Sequence, residues 1–160
     1  MPPLLIPLTS IQDLLEWYRL NLCNRHLTDP RDYRVRFKLT SFVHLIQMKT
    51  RFGNEPKNKE MSLEQIRSGK IRFVKGRYDE QRASELSWAV EIATNPDRIC
   101  RNWQALGSGD EAYIRNFGIQ EHPKYRVLIC KVIGTVREAW TIFPRERIGE
   151  RELASQIWPP

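Results

Sequence analysis

A chain of 160 residues with 41% hydrophobic content is long enough to close one core and too short for several. Its 26 Lys and Arg against 19 Asp and Glu give a formal charge of +7 and a pI near 9.6. That balance favours a polyanionic partner, nucleic acid first, because each phosphate met by a cation releases condensed counterions. The only apolar run near the N-terminus, Leu4-Leu5-Ile6, is too short for a span and lacks a signal-peptide charge pattern, so a soluble cytoplasmic chain with no membrane partner is expected.

In chain order, the opening MPPLLIPL reads as an extended arm, after which Thr9 or Ser10 caps a helix through Ile11, Leu14, Leu15 and Tyr18. Arm and helix make up residues 1–30, ahead of a main domain at 31–145 and a tail at 146–160. The run YRVRFK at 33–38 is a strand of period two: Tyr33, Val35 and Phe37 share one face, and Arg34, Arg36 and Lys38 make the other wholly cationic. Thr40 or Ser41 then caps a helix on which Phe42, Leu45, Ile46 and Lys49 follow helical spacing, with His44 just off the stripe. Charge and a titratable group thus lie side by side.

The polar run at 51–60 reads as a loop. Ser62 and Gln65 form a capping box for a short helix that Gly69 ends, and 71–74 is a strand whose Arg72 adds a cation. A long helix is expected over 79–94, with Ala83, Leu86, Ala89, Val90 and Ile92 facing the core and Asn95-Pro96 stopping it. Gly107-Ser108-Gly109 is a turn into a strand at 112–117; without a preceding strand or a following Gly-Lys-Ser it is no nucleotide loop. The strongest fold signal is the pair YRVLICKVI and VREAWTIFP, joined by Gly134-Thr135 as a tight hairpin. Strict alternation puts Val136, Glu138, Trp140 and Ile142 on one face of its second strand, and Arg137, Ala139, Thr141 and Phe143 on the other. The tail over 147–158 forms a terminal helix or docks as an arm through Trp158. Together these elements predict an α+β domain, with helices packed on a curved antiparallel sheet that ends in a C-terminal hairpin.

Cys23, Cys100 and Cys130 are odd in number and show no C-x-x-C spacing, so neither a disulfide framework nor a cysteine zinc site is indicated. His26 and His122 lack a ligand partner at helical spacing. No metal or cofactor is called for.

In FKLTSFVHLIQMK, EIATNPDRICRNW and KYRVLICKVIGTVREAWTIFP the chain resembles the barnase–EndoU–colicin–RelE group of small ribonucleases, its phage-associated members most of all. The likeness covers roughly residues 33 to 145, and the last strand, ending T-x-F-P, is its most telling part. It implies metal-independent RNA cleavage by a toxin-like or phage-associated endoribonuclease, with Lys38 binding phosphate, His44 acting as acid or base and Thr141 touching substrate. It also implies a cognate inhibitor or antitoxin as partner. Many relatives carry a second histidine or arginine one or two turns along the first helix; here Lys49 and Arg51 occupy that region.

The chemistry explains these residue types. Cleaving RNA without a metal means taking a proton from the 2′-hydroxyl, stabilising a phosphorane and protonating the leaving 5′-oxygen. A histidine can perform either proton step, whereas Lys and Arg stabilise charge. Arg34, Arg36, Lys49 and Arg72 would bind substrate phosphates, and Trp140 is the best candidate for stacking a base. A non-catalytic nucleic-acid-binding or protein-interaction module uses the same basic face and is the alternative from another class. A transferase for a phosphorylated cofactor finds no support in the glycine pattern.

Overall fold

The computed structural model describes residues 4–46, 59–69, 80–103, 107–118, 120–121 and 123–160, with the backbone alone for 59–62. Ser10 opens helix α1 (Ile11–Tyr18), its hydroxyl accepting the Asp13 amide at 3.0 Å. Ile11, Leu14, Leu15 and Tyr18 face inward, and the helix runs on as a wider π-turn over Arg19–Cys23. Tyr18 is fully buried against Phe37 and Phe42, and its hydroxyl donates to the Lys38 carbonyl at 2.7 Å, pinning the end of the cationic strand to the core.

The strands are β1 (Leu27–Thr28), β2 (Arg34–Arg36), β3 (Arg98–Arg101), β4 (Glu111–Asn116), β5 (Tyr125–Ile133), β6 (Val136–Arg145) and β7 (Gln156–Trp158). They form one curled sheet in the order β1-β2-β6-β5-β4-β3-β7. The α+β class with helices on a curved sheet is as expected, but the sheet is mixed: β2 runs parallel to β6 while every other neighbouring pair is antiparallel. The β5–β6 hairpin turns at Gly134-Thr135, where Gly134 takes the φ of 59° that favours glycine.

Helix α2 (Phe42–Ile46) follows a 3-10 turn at Leu39–Ser41, and α3 (Lys59–Arg67) ends at Gly69, whose φ is 75°. Helix α3 begins three residues before Ser62, so the expected capping box does not start it. The expected loop at 51–60 lies outside the described residues up to 58, and the strand at 71–74 does so entirely. The single helix expected over 79–94 is three pieces: α4 (Glu80–Ser84), a 3-10 turn at Glu85–Trp88 and α5 (Ala89–Thr94). The break falls where the hydroxyls of Ser84 and Ser87 bond back to the carbonyls of Gln81 and Ser84, and where the Leu4 amide takes the Ser87 carbonyl. In the tail, α6 (Glu150–Ala154) is followed by β7, which docks on β3, so both expected forms occur.

One side of the sheet meets α1, α2, α4 and α5 in the main core, through Ile99, Tyr113, Leu128, Cys130, Ala139 and Ile142. The other side carries a smaller cluster of Cys100, Ala112, Ile114, Val127 and Ile129, against which Trp103, Tyr125 and Phe143 pack. Strand β6 does not alternate strictly. Ile129 pairs with Thr141 but Cys130 pairs with Ala139, which leaves Trp140 as the extra residue of a β-bulge. Ala139 and Ile142, three apart, therefore both enter the main core, and the expected sharing of faces across 136–143 fails at Trp140.

A charged network closes the β1–β2 end. Arg31 pairs with Asp29 at 2.7 Å and Glu111 at 2.6 Å, Arg137 pairs with Glu111 at 3.0 Å, and the Tyr113 hydroxyl donates to Asp29 at 2.6 Å. Two cations thus balance two carboxylates that are almost wholly buried.

Candidate nucleic-acid interface

Strand β2 ends opposite Glu138, and the chain then folds over β6 as the 3-10 turn and α2. This return sets His44 beside the bulge in β6. The bulge frees the Trp140 side chain from the pleat, and the imidazole lies against the indole with centroids 4.2 Å apart and planes inclined by 31°. The Lys131 ammonium, from β5, sits 3.4 Å from the centroid of the same indole. Trp140 is therefore in contact with an imidazole and a primary ammonium together, an arrangement stabilised by the quadrupole of the ring.

The cationic strand meets this cluster through Glu138. Its Oε2 accepts from Lys38 Nζ and from Arg36 Nη2, both at 3.0 Å, and Lys131 lies directly across the hairpin from it. Burial pushes the Glu138 carboxyl up, but the hydrogen bonds from Lys38 and Arg36 outweigh it and hold the group below its ordinary value. Two cations share one carboxylate, so this part of the surface carries a single net positive charge. Arg34 is exposed at the other end of the strand.

Thr141 is buried rather than open to a cleft. Its hydroxyl accepts from Arg82 Nη2 at 2.9 Å, and the same guanidinium donates to the Leu45 carbonyl at 3.1 Å and the His44 carbonyl at 3.4 Å. Arg82 thus clamps the C-terminal end of α2 to β6. Thr141 reaches the His44 carbonyl through this clamp, which holds the backbone that carries the imidazole.

Of the residues expected from sequence, Lys38 and Arg36 meet at Glu138, the ladder neighbour of Lys131, and His44 and Trp140 meet each other, with Lys131 on the same indole and Arg82 linking Thr141 to the His44 carbonyl; Lys49 and Arg72 lie outside the described residues. Glu138, Lys131 and Arg82 were not singled out. Counting the ladder back from Gly134-Thr135 would have set Lys131 opposite Glu138; no local pattern points to Arg82. Among the described residues no group of three or more His, Cys, Asp or Glu side chains could hold a metal ion, and no helix is long and apolar enough to cross a membrane. No protein-family model, curated protein or solved structure matches the chain.

Proposed function

We propose that the chain is an endoribonuclease that binds RNA through Arg34, Arg36, Lys38, Lys131 and Trp140 and moves a proton with His44, without a metal. The observation that carries this reading is the contact of His44 with Trp140 at 4.2 Å beside the cations held by Glu138. A base stacking on Trp140 would displace the Lys131 ammonium from the ring and bring its phosphate among Lys131, Lys38 and Arg36, beside the imidazole. In this scheme the cations stabilise the phosphorane, and His44 exchanges a proton with one of the 2′- and 5′-oxygens while solvent water exchanges a proton with the other. The resemblance of the β2–α2 and β5–β6 sequences to small ribonucleases supports the same reading. RNA as substrate would place the activity in the cytoplasm, and a toxin of this kind would be held by an acidic inhibitor steered by the +7 charge.

A second reading, an RNA-binding module without turnover, is favoured by the engagement of Lys38 with Glu138 and of Thr141 with Arg82. One assay separates the two. Wild type and His44→Ala are incubated with long RNA and with transfer RNA in the presence of chelator, and product ends are examined for 2′,3′-cyclic phosphate. The nuclease reading expects cleavage by wild type and a loss of about 10²–10⁴-fold in the variant. Equal rates would remove His44 from the chemistry, and no cleavage of either RNA would leave the binding module.

A further inference from the structure

The opposite end of the sheet carries a second candidate site. Strand β7 pairs with β3 only through Gln156–Trp158, with a register shift between Ile99 and Cys100, and beyond the bond from the Arg101 amide to the Ser155 carbonyl the two segments part. On one side Asn102 turns the chain out of β3 at a φ of 55°, held by its amide on the Asp110 carbonyl and by its side-chain oxygen on the Gly109 amide. On the other, α6 runs into β7 through Ser155, whose amide bonds back to the Glu152 carbonyl. The wedge between them is a hollow of about 440 Å³, lined by Arg101, Trp103 and Arg151 among others. That volume lies within the range of sites that hold a small organic molecule.

Most of its polar lining is already engaged. Gln156 bonds Arg98 and the Pro159 carbonyl, the Ser155 hydroxyl donates to the Glu152 carbonyl, and the Glu152 carboxylate lies 3.8 Å from Arg145. What remains is cationic and aromatic. The Arg101 and Arg151 side chains are exposed and make no hydrogen bond or ion pair among the described residues, and the Arg145 guanidinium lies 5.4 Å from the Trp103 ring centre. Forked donors and an indole lining one hollow suit a planar base that carries a phosphate: guanidinium binds phosphate oxygens in pairs, and an indole stacks any base.

We infer that this hollow binds a nucleoside monophosphate, either free or as one unit of an RNA strand. Its base would lie at Trp103 and its phosphate between Arg101 and Arg151. Arg101, on β3, is three strands from Trp140, about 14 Å across the sheet, while Trp103 reaches back over the smaller cluster to Phe143 and Arg145 of β6. The site does not depend on His44 or on cleavage.

The test follows the Trp103 indole N–H by NMR, assigned with Trp103→Phe, while the intact protein is titrated with AMP, GMP, CMP, UMP and, separately, inorganic phosphate. A saturating shift with at least one nucleotide is expected, weakened about tenfold by Arg101→Gln and by Arg151→Gln and unchanged by His44→Ala. An oligoribonucleotide with blocked ends tells the sources apart. Tighter binding than the mononucleotide means that the hollow takes a unit of a strand, and exclusion means that it takes the free nucleotide. No saturable shift up to about 10 mM of any nucleotide, or equal binding of phosphate alone, would overturn the assignment.

Discussion

The His44 imidazole and the Trp140 indole pack with ring centres 4.2 Å apart although they are 96 residues apart in sequence, because β2 ends at Arg36 and α2 folds back over the bulge of β6. The contact ties the titratable group to the stacking platform, so their effects on RNA should be coupled. Trp140→Ala removes both the platform and the surface that orients His44. RNA affinity should fall by about 1–3 kcal/mol, the worth of one base stack, and cleavage at saturating RNA should fall as well. A double-mutant cycle of His44→Ala with Trp140→Ala on cleavage would be non-additive; additive losses would mean that the two act separately.

Arg82 provides a second handle on the same imidazole. Thr141→Val keeps the shape of the side chain but removes the acceptor of a hydrogen bond from a guanidinium, at a cost of about 1.5–3 kcal/mol of stability. Because Arg82 also holds the His44 and Leu45 carbonyls, the variant should cleave RNA more slowly while binding it almost as well. Chemical denaturation and cleavage at saturating RNA read the two effects. A large loss of RNA affinity with normal stability would instead make Thr141 a direct substrate contact.

The parts legible in the sequence were those governed by local rules. A cap at Thr9 or Ser10, of which Ser10 is the one formed, Gly69 as a stop, Gly134-Thr135 as a hairpin turn and the alternation of Arg34, Arg36 and Lys38 with buried neighbours all follow from chemistry within a few residues. What could not be read depended on pairing at a distance. β1 and β7 are two and three residues long and exist only by pairing with β2 and β3. The bulge at Trp140 is a mismatch between two strands that neither one encodes alone. Glu138 reads as an ordinary strand residue until β2 is laid parallel to β6, and then it becomes the counter-ion of the expected phosphate face.

The network at the β1–β2 end predicts acid sensitivity. Burial pushes the Asp29 and Glu111 carboxyls up, but the hydrogen bonds from Tyr113 and Arg31 to Asp29, and from Arg31 and Arg137 to Glu111, outweigh it and leave both below their ordinary values. A carboxyl lowered by folding contributes stability that is present above its unfolded value and is lost as pH falls through its folded one. Stability should therefore decline below the ordinary carboxylate range. Glu111→Gln leaves Arg137 and Arg31 without their shared carboxylate and should cost about 3–5 kcal/mol. Urea midpoints against pH check both, and a variant as stable as wild type near pH 7 would show that the network adds nothing to the fold.

The last prediction concerns the carboxylate inside the cationic surface. Glu138 neutralises one of the two charges that Lys38 and Arg36 present, and a phosphate approaching them meets its repulsion as well as their attraction. Glu138→Gln keeps an oxygen for one of the two donors and removes the negative charge. RNA affinity should rise at low salt, and the logarithmic dependence of affinity on salt should steepen, by about 0.7 for each phosphate newly neutralised on a single strand. Lys38→Glu should do the opposite, weakening binding and flattening the slope. Acidification gives a second route to the same state: because folding lowers the Glu138 carboxyl, the charge persists through the neutral range and is lost only below the ordinary carboxylate value, where affinity should begin to rise. Binding isotherms at about 50 and 200 mM salt for the three proteins provide the measurement. Weaker binding by Glu138→Gln would mean that holding Lys38 and Arg36 in position outweighs the charge they lose to the carboxylate.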